Sequence, residues 1–190
     1  MKIGLFFGSF NPIHIGHLII ANYVQQTTDL DKVWLMVSPH NPHKDKSSLL
    51  GEYDRLHLVN LAIENNLNLV ASNFEFKLPQ PSYTIDTLAH LKEKYPQHSF
   101  SLIMGGDNLD TLHKWKNYEL ILRDYPIYVY KRSPDQQNPF PEKNNIHLLD
   151  VPLLAISATF IRQSIKQNIS MEYFLPPKVW QYIAEHNLYK

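Results

Sequence analysis

The chain has no cysteine, no net charge and no long apolar run. Without cysteine it can form neither disulfides nor cysteine-ligated metal sites, which fits a protein of the reducing cytoplasm. Lysine plus arginine and aspartate plus glutamate number 18 each, so no overall basic field indicates a nucleic-acid-binding protein. No segment reaches the roughly 20 apolar residues of a membrane-spanning helix. These absences predict a cytoplasmic protein with neither nucleic acid nor membrane as its partner.

Several familiar catalytic patterns are missing as well. No glycine is directly followed by Lys-Ser or Lys-Thr, which excludes a P-loop, and no His-Glu-x-x-His sequence indicates a zinc hydrolase. No Ser-His-Asp or activated-cysteine arrangement is evident. The apolar run at the start of the chain is too short for a signal peptide. Because the net charge is zero, any phosphate site must be a local feature and not a basic face of the protein.

The pattern of apolar residues predicts one α/β domain over 1–190, a length sufficient for a sizeable core. Strands are predicted at 2–7, 32–38, 67–71, 100–104, 127–130 and 146–149. Helices are predicted at 17–27, 53–65, 84–95, 118–124, 158–167 and 177–186. This alternation is typical of a Rossmann-like fold, with a doubly wound, mostly parallel sheet covered on both faces. The polar stretch 133–145 is predicted to be a surface loop.

The run GSFNPIHIGH at positions 8–17 is the most informative stretch, because it places two histidines in a turn between a strand and a helix. A helix N-terminus presents free N–H groups and a partial positive charge, so it attracts phosphate. The imidazoles of His14 and His17 can donate hydrogen bonds to an oxyanion. Taken alone, each histidine would more often be a surface or capping residue than a catalyst. Together they predict a turn that holds and polarises a phosphoryl group.

A second stretch, ISATFIR at 156–162, combines a helix start with hydroxyl groups and a guanidinium. Ser157 is predicted to be the N-cap of this helix, and that structural role alone could explain it. With Thr159 in the first turn and Arg162 close by, the same helix start can form a second phosphate-binding site.

Several loops are predicted to meet at one edge of the sheet. Ligands of open α/β sheets bind at the carboxyl ends of the strands. The run 8–17 follows the first predicted strand, Lys44 follows the second, and Gly105 and Asp107 follow another. We therefore expect these residues to line one crevice.

The two stretches resemble the two signatures of the nucleotidyltransferase superfamily. The run 8–17 is similar to its GSFxPxHxGH motif, with Asn11 where many members have aspartate, a mild departure that keeps a polar turn-former. The stretch 156–162 is similar to its (I/V)SxTxIR motif. Both occur in the expected order and are separated by most of the chain.

The resemblance extends over nearly the whole chain to the nicotinate-nucleotide adenylyltransferases. The matching segments are PHNPHK at 39–44, SYTIDTL at 82–88, MGGDN at 104–108, HKWK at 113–116 and FLPPKV at 174–179. The related pantetheine-phosphate enzymes usually carry threonine at the position of His14 and tend to be shorter, which favours the nicotinate family.

This resemblance implies transfer of the adenylyl group of ATP to nicotinate mononucleotide, with Mg²⁺ arriving on ATP and no metal ligand from the protein. The residues implied to stabilise charge in catalysis are His14, His17, Lys44 and Arg162. Those implied to bind ATP are Gly8, Ser9, Phe10, His14, His17, Gly105, Asp107, Ser157, Thr159 and Arg162. Those implied to bind the mononucleotide are Thr84, Trp115 and Lys116.

Several alternatives stay open at this stage. The acceptor could be nicotinamide mononucleotide or phosphopantetheine, the donor could be a cytidylyl nucleotide, or the chain could be a non-catalytic nucleotide-binding regulator. Lys44 could be a solvated loop residue, Trp115 a core aromatic, and Thr84 and Asp107 helix caps. The roles of the histidines at 40 and 43 are open, as is the choice between a monomer and a small homo-oligomer.

Overall fold

A six-stranded parallel sheet forms the centre of the molecule. The computed structural model describes residues 1–39, 49–131, 133, 135–152 and 154–190. Within these residues the strand order is β3-β2-β1-β4-β5-β6, and every neighbouring pair is parallel. The strands are β1 (Lys2–Gly8), β2 (Lys32–Val37), β3 (Leu69–Ser72), β4 (Ser99–Gly105), β5 (Ile127–Tyr130) and β6 (Ile146–Leu149). The predicted Rossmann-like fold is confirmed.

Helices connect the strands and cover both faces of the sheet. They are α1 (Ile15–Thr27), α2 (Glu52–Ile63), α3 (Thr84–Lys94), α4 (Gly106–Thr111), α5 (Tyr118–Asp124), α6 (Ala158–Lys166) and α7 (Pro177–Glu185). Short 3₁₀ turns occur at Phe74–Lys77, Leu112–Lys114 and Glu172–Phe174. In the described part of the chain, every helix is too short or too polar to cross a membrane.

All twelve predicted elements are present, and their ends agree with the sequence prediction to within two residues. The described positions of the predicted loop 133–145 contain neither helix nor strand. Helix α4 was not predicted, because its six residues begin at a Gly-Gly pair and are too few to show an apolar stripe.

Two hydrophobic cores lie on opposite faces of the sheet, as the alternation of side chains along each strand requires. Along β1, Leu5 belongs to one core and Phe6 to the other. Helices α1, α2, α6 and α7 cover the face of Phe6. Helices α3, α4 and α5 cover the face of Leu5.

The strand order reverses at the sheet centre, where β1 lies between β2 and β4. Connections leave the carboxyl ends of β1 and β4 in opposite directions, which opens a crevice between them. The run 8–17 begins at the end of β1, and Gly105 ends β4. The fold therefore places the predicted phosphate-binding turn at the position where ligands of such sheets bind.

Candidate active site

A cavity of about 1140 Å³ lies at the carboxyl ends of the central strands. It brings together most residues that the sequence analysis singled out. Its lining includes Gly8, Ser9, Phe10, His14, His17, Thr84, Asp107, Trp115, Lys116, Ser157, Thr159 and Arg162. Gly105 is not part of the lining, and Lys44 and the histidines at 40 and 43 lie outside the described residues.

The two histidines form a stacked pair at the start of α1. His14 is the N-cap of the helix and is 5% exposed. Its ring stacks on that of His17 with centroids 3.7 Å apart, and its backbone N–H donates to Nδ1 of His17 over 3.3 Å. Because Nδ1 of His17 accepts this bond, the neutral ring carries its proton on Nε2. His17 therefore presents an N–H donor on Nε2, the ring nitrogen that does not accept the bond from His14.

Phe10 explains why glycine occupies position 8. Phe10 adopts the left-handed backbone conformation with φ of 43° and its side chain is 1% exposed. Its ring packs edge-on against Phe6 and His17, with centroids 5.9 and 5.1 Å away. A Cβ at Gly8 would lie 2.8 Å from the Phe10 ring, closer than packing allows. The missing side chain thus lets the turn fold back over the end of β1.

The start of α6 lies against the turn at 8–17. Ser157 is the N-cap of α6, and its Oγ accepts a hydrogen bond from the Phe160 N–H at 3.2 Å, so the predicted cap is confirmed. Arg162 donates from Nη1 to the carbonyl of Asn11 over 2.8 Å and from Nη2 to the Thr159 hydroxyl over 3.4 Å. The two sequence motifs, far apart along the chain, therefore share one wall of the cavity.

Comparison with known proteins agrees with this geometry. The family model described as Cytidylyltransferase-like matches residues 5–164. A Flavobacterium psychrophilum protein named "Probable nicotinate-nucleotide adenylyltransferase" is 57% identical, with all of both chains covered. A Bacteroides thetaiotaomicron protein of the same name is 45% identical over 98% of this chain and 92% of its own length. This chain belongs to the nicotinate-nucleotide adenylyltransferase family.

The fold is also that of a solved structure, titled Plasmodium falciparum nicotinic acid mononucleotide adenylyltransferase complexed with NaAD. The two chains superimpose with a TM-score of 0.82 at 18% identity, over 99% of this chain and 97% of the other. At this level of identity the likeness establishes the fold alone.

The far side of the adenylyltransferase cavity is formed by the start of α3 and by the segment after Leu112–Lys114. The N-cap of α3 is Tyr83, so the alternative that Thr84 caps the helix is wrong, and Thr84 faces the cavity from the first turn. Trp115 is half-buried and lines the same cavity. The Lys116 ammonium pairs with the Asp86 carboxylate at 2.8 Å and lies 4.8 Å from the centre of the Tyr83 ring. Lys116 therefore ties the two walls together.

Asp107 and Gly105 occupy the start of α4. Gly105 is the N-cap of this helix, and Asp107 lies in its first turn, so the alternative that Asp107 is the N-cap is wrong. Asp107 lines the cavity, whereas Gly105 supports it from the end of β4.

Glu75 is a buried carboxyl of the adenylyltransferase cavity that the sequence analysis missed. It lies in the 3₁₀ turn after β3, is 3% exposed and lines the cavity. Burial raises the pKa of Glu75, although hydrogen bonds from the hydroxyls of Thr87, Ser38 and Ser82 oppose that rise. The Thr87 hydroxyl donates to it over 2.8 Å. Nothing in the local sequence around Glu75 signals this burial.

Arg55 and Tyr189 were missed as well. Arg55 is fully buried in the first turn of α2. Its spacing from Leu58 and Val59 places it on the apolar stripe of that helix, and a charge on such a stripe is the signal that could have found it. The Tyr189 hydroxyl donates to Oδ1 of Asn11 over 2.9 Å, and burial raises its pKa.

In the described part of the chain, no group of three or more histidine, aspartate or glutamate side chains is arranged to hold a metal ion.

Proposed function

We propose that this chain, as one domain over 1–190, transfers the adenylyl group of ATP to nicotinate mononucleotide. The products are nicotinate adenine dinucleotide and pyrophosphate. The observation that carries the proposal is the hydrogen bond from Arg162 to Asn11, which brings the two phosphate-binding motifs into one cavity. Family membership supports the choice of reaction, because the full-length relatives carry the name of this activity.

The chemistry needs little from the protein beyond positioning. A phosphate oxygen of the mononucleotide, ionised at neutral pH, attacks the α-phosphorus of ATP. A new P–O bond forms as the bond between the α-phosphorus and the bridging oxygen breaks, and pyrophosphate leaves. No general base and no covalent intermediate is required. Catalysis then consists of orientation and of stabilising the charge that develops on the phosphoryl oxygens.

The ATP phosphates are assigned to the two motifs. His14 and His17 stabilise charge at the α-phosphorus and at the bridging oxygen, with Nε2 of His17 as a donor. Ser157, Thr159 and Arg162 hold the β- and γ-phosphates that leave as pyrophosphate. Lys44, outside the described residues, remains assigned to phosphate charge by the family resemblance alone.

Gly8, Ser9 and Phe10 are assigned to bringing the backbone of this turn close to the phosphates. The missing side chain at Gly8 supports this assignment indirectly, because it leaves room for the Phe10 ring and lets the turn fold back over the end of β1. Gly105 and Asp107 are assigned to the adenosine side of the crevice. Trp115 is assigned to stacking on the pyridine ring, with Thr84 and Lys116 beside it. The 4.8 Å approach of the Lys116 ammonium to the Tyr83 ring supports a role in shaping this pocket.

Mg²⁺ enters as part of the nucleotide substrate. It prefers phosphate oxygens and water as ligands and rarely needs a full set from the protein. The imidazole, hydroxyl and guanidinium groups around the phosphate subsite suit a site that receives a metal already bound to ATP. We also assign the enzyme to the cytoplasm, where ATP and pyridine mononucleotides are available.

The test is product formation from ATP and Mg²⁺ with three acceptors run side by side. These are nicotinate mononucleotide, nicotinamide mononucleotide and phosphopantetheine, with products resolved by chromatography. A strong preference for the nicotinate acceptor is expected. Preference for another acceptor would make the chain a sister adenylyltransferase. Release of no pyrophosphate with any acceptor would favour a nucleotide-binding regulator.

A further inference from the structure

The guanidinium of Arg55 is buried beneath the phosphate-binding turn. It donates four hydrogen bonds to described residues, and each of these acceptors is a main-chain carbonyl: Ser9 at 2.5 Å, Ser38 at 2.8 Å, Pro39 at 2.8 Å and Leu50 at 2.9 Å. One side chain of α2 thus connects the turn after β1 with the chain on both sides of positions 40–48.

An arginine is a costly residue at this position. Its side chain is 0% exposed, and within the described ranges no carboxylate lies within ion-pair distance of it. Burial accordingly lowers the pKa of Arg55, although arginine stays charged in proteins. Its neighbours Leu58, Val59 and Ile63 on the same face of α2 are apolar. The role of the buried Arg55 guanidinium must therefore lie in the main-chain carbonyls that its hydrogen bonds hold in place.

The bond to Ser9 controls the orientation of one peptide plane. The Ser9–Phe10 peptide is trans, since the cis peptides of the described chain are at Asn11-Pro12 and Gln80-Pro81. In a trans peptide the carbonyl and the next N–H point in opposite directions. The Ser9 carbonyl points at the guanidinium of Arg55, which is not part of the cavity lining, whereas Ser9 and Phe10 both line the cavity. The Phe10 N–H consequently points to the side of the peptide opposite Arg55.

The neighbouring contacts reinforce this orientation. The N–H of Ser38 donates to the Gly8 carbonyl over 2.9 Å, and the carbonyl of Ser38 accepts from the same Arg55 nitrogen that binds Ser9. Phe10 holds a left-handed φ of 43°, which a non-glycine residue keeps only when its surroundings enforce it. Arg55 is a polar group that anchors the peptide just before this residue.

We propose that Arg55 is a positioning residue, which holds the Ser9 carbonyl so that the Phe10 N–H donates to a phosphate oxygen of the nucleotide. Arg55 itself does not touch substrate. The proposal rests on the proposed function, because it takes ATP as the ligand of this cavity. It goes further in assigning the orientation of a backbone phosphate donor to a buried side chain of α2.

The first experiment compares Arg55→Lys with Leu58→Ala, a buried residue of the same helix without a hydrogen bond to the turn. Both variants should lower Tm. The Kd of α,β-methylene-ATP is measured by calorimetry, well below the Tm of each variant. We expect this Kd to rise about 10-fold or more in Arg55→Lys and to stay unchanged in Leu58→Ala. The KM of nicotinate mononucleotide should change by less than about 2-fold in both. An unchanged Kd in folded Arg55→Lys would reduce Arg55 to a purely structural role.

The second experiment removes the Phe10 N–H alone. Nonsense suppression replaces Phe10 by phenyllactic acid, so that an ester stands in place of the Ser9–Phe10 amide. We expect a Kd increase of about 10-fold, and little further increase when the ester is combined with Arg55→Lys. An ester introduced at Leu67, an exposed position, should leave the Kd as in the parent protein. Full affinity with the Phe10 ester would overturn the proposal even where Arg55→Lys does not fold.

These measurements separate the proposal from the proposed function. They use binding of a nucleotide analogue, so they remain decisive if the parent protein transfers adenylyl to none of the tested acceptors. Failure of the reaction appears as missing pyrophosphate from the parent protein. Failure of the Arg55 proposal appears as unchanged nucleotide affinity in the folded variants. A parent protein that binds no α,β-methylene-ATP would overturn both the proposed function and the Arg55 proposal.

Discussion

Nη1 of Arg162 donates a 2.8 Å hydrogen bond to the main-chain carbonyl of Asn11, although the two residues are 151 positions apart. The bond joins the start of α6 to the turn after β1. A guanidinium has five N–H groups, and among the described residues its bonds to Asn11 and Thr159 leave others for the cavity that Arg162 lines. Arg162 can therefore hold two walls together and bind phosphate at the same time.

Replacing Arg162 by alanine should mainly weaken the use of ATP. We expect the KM of ATP to rise about 10-fold or more, because charge-assisted hydrogen bonds to phosphate are lost, with a smaller change for nicotinate mononucleotide. Arg162→Lys keeps the charge without the planar guanidinium. Its KM for ATP should therefore lie between those of the parent protein and Arg162→Ala. Lys166→Ala removes an equal charge from the exposed end of the same helix and serves as the control. Steady-state kinetics that show unchanged ATP constants for Arg162→Ala would return the residue to a structural role.

Replacing His17 should slow turnover more than it weakens binding. His17→Ala is expected to lower kcat by about 10²-fold or more, the scale of losing one donor to a transition-state oxyanion. His17→Asn makes the matched comparison, because its amide oxygen can still accept from the His14 N–H while the Nε2 donor is gone. Its Tm should therefore stay nearer that of the parent, yet its kcat should be as low as that of His17→Ala. A normal kcat in His17→Asn would mean that the helix cap, and not the Nε2 donor, is what His17 provides.

Much of this molecule could be predicted from the sequence, because local patterns determine its elements. The apolar run at 2–7 and the spacing of apolar residues in α1 gave strand and helix ends within two residues of those observed. The cap at Ser157 followed from residue type alone. The family resemblance then supplied a set of site residues. Those that lie among the described residues line one cavity, with the exception of Gly105.

The remaining features depend on contacts between distant segments. Neither the bond between Arg162 and Asn11 nor the bond between Tyr189 and Asn11 leaves a trace in local sequence. The burial of Glu75 depends on hydroxyl groups from two other segments, those of Ser38 and Thr87. Such contacts depend on the packing of the whole chain, and no local pattern of residues predicts them.

Replacing Trp115 should affect the mononucleotide selectively. Trp115 is half-buried at the cavity wall next to the start of α3, so loss of the indole removes a stacking surface. Trp115→Leu is expected to raise the KM of nicotinate mononucleotide about 10-fold with little change for ATP, whereas Trp115→Phe should keep part of the affinity. Separate KM values for the two substrates check this. A selective ATP defect would contradict the assignment of Trp115 to the pyridine ring.

The buried carboxyl of Glu75 should make stability depend on pH in a defined direction. Burial raises the pKa of Glu75 above the ordinary value of 4.5, so the folded protein binds this proton more tightly than the unfolded chain does. The contribution of the carboxyl to stability is therefore fully present below that ordinary value and is lost as pH rises through the higher folded-state value. Glu75→Gln has no proton to lose, while its amide oxygen can still accept from the Thr87 hydroxyl.

Thermal unfolding of Glu75→Gln and of the parent protein should accordingly diverge with pH. We expect the Tm of the variant minus that of the parent to become more positive between about pH 4 and about pH 8, by roughly 2–4 °C for each kcal/mol of difference. Glu142→Gln alters an exposed carboxyl in the 133–145 stretch and should give a flat difference over the same range. A flat difference for Glu75→Gln as well would mean that its three hydroxyl partners compensate fully for its burial. The carboxylate would then be as well solvated in the cavity wall as it is in water.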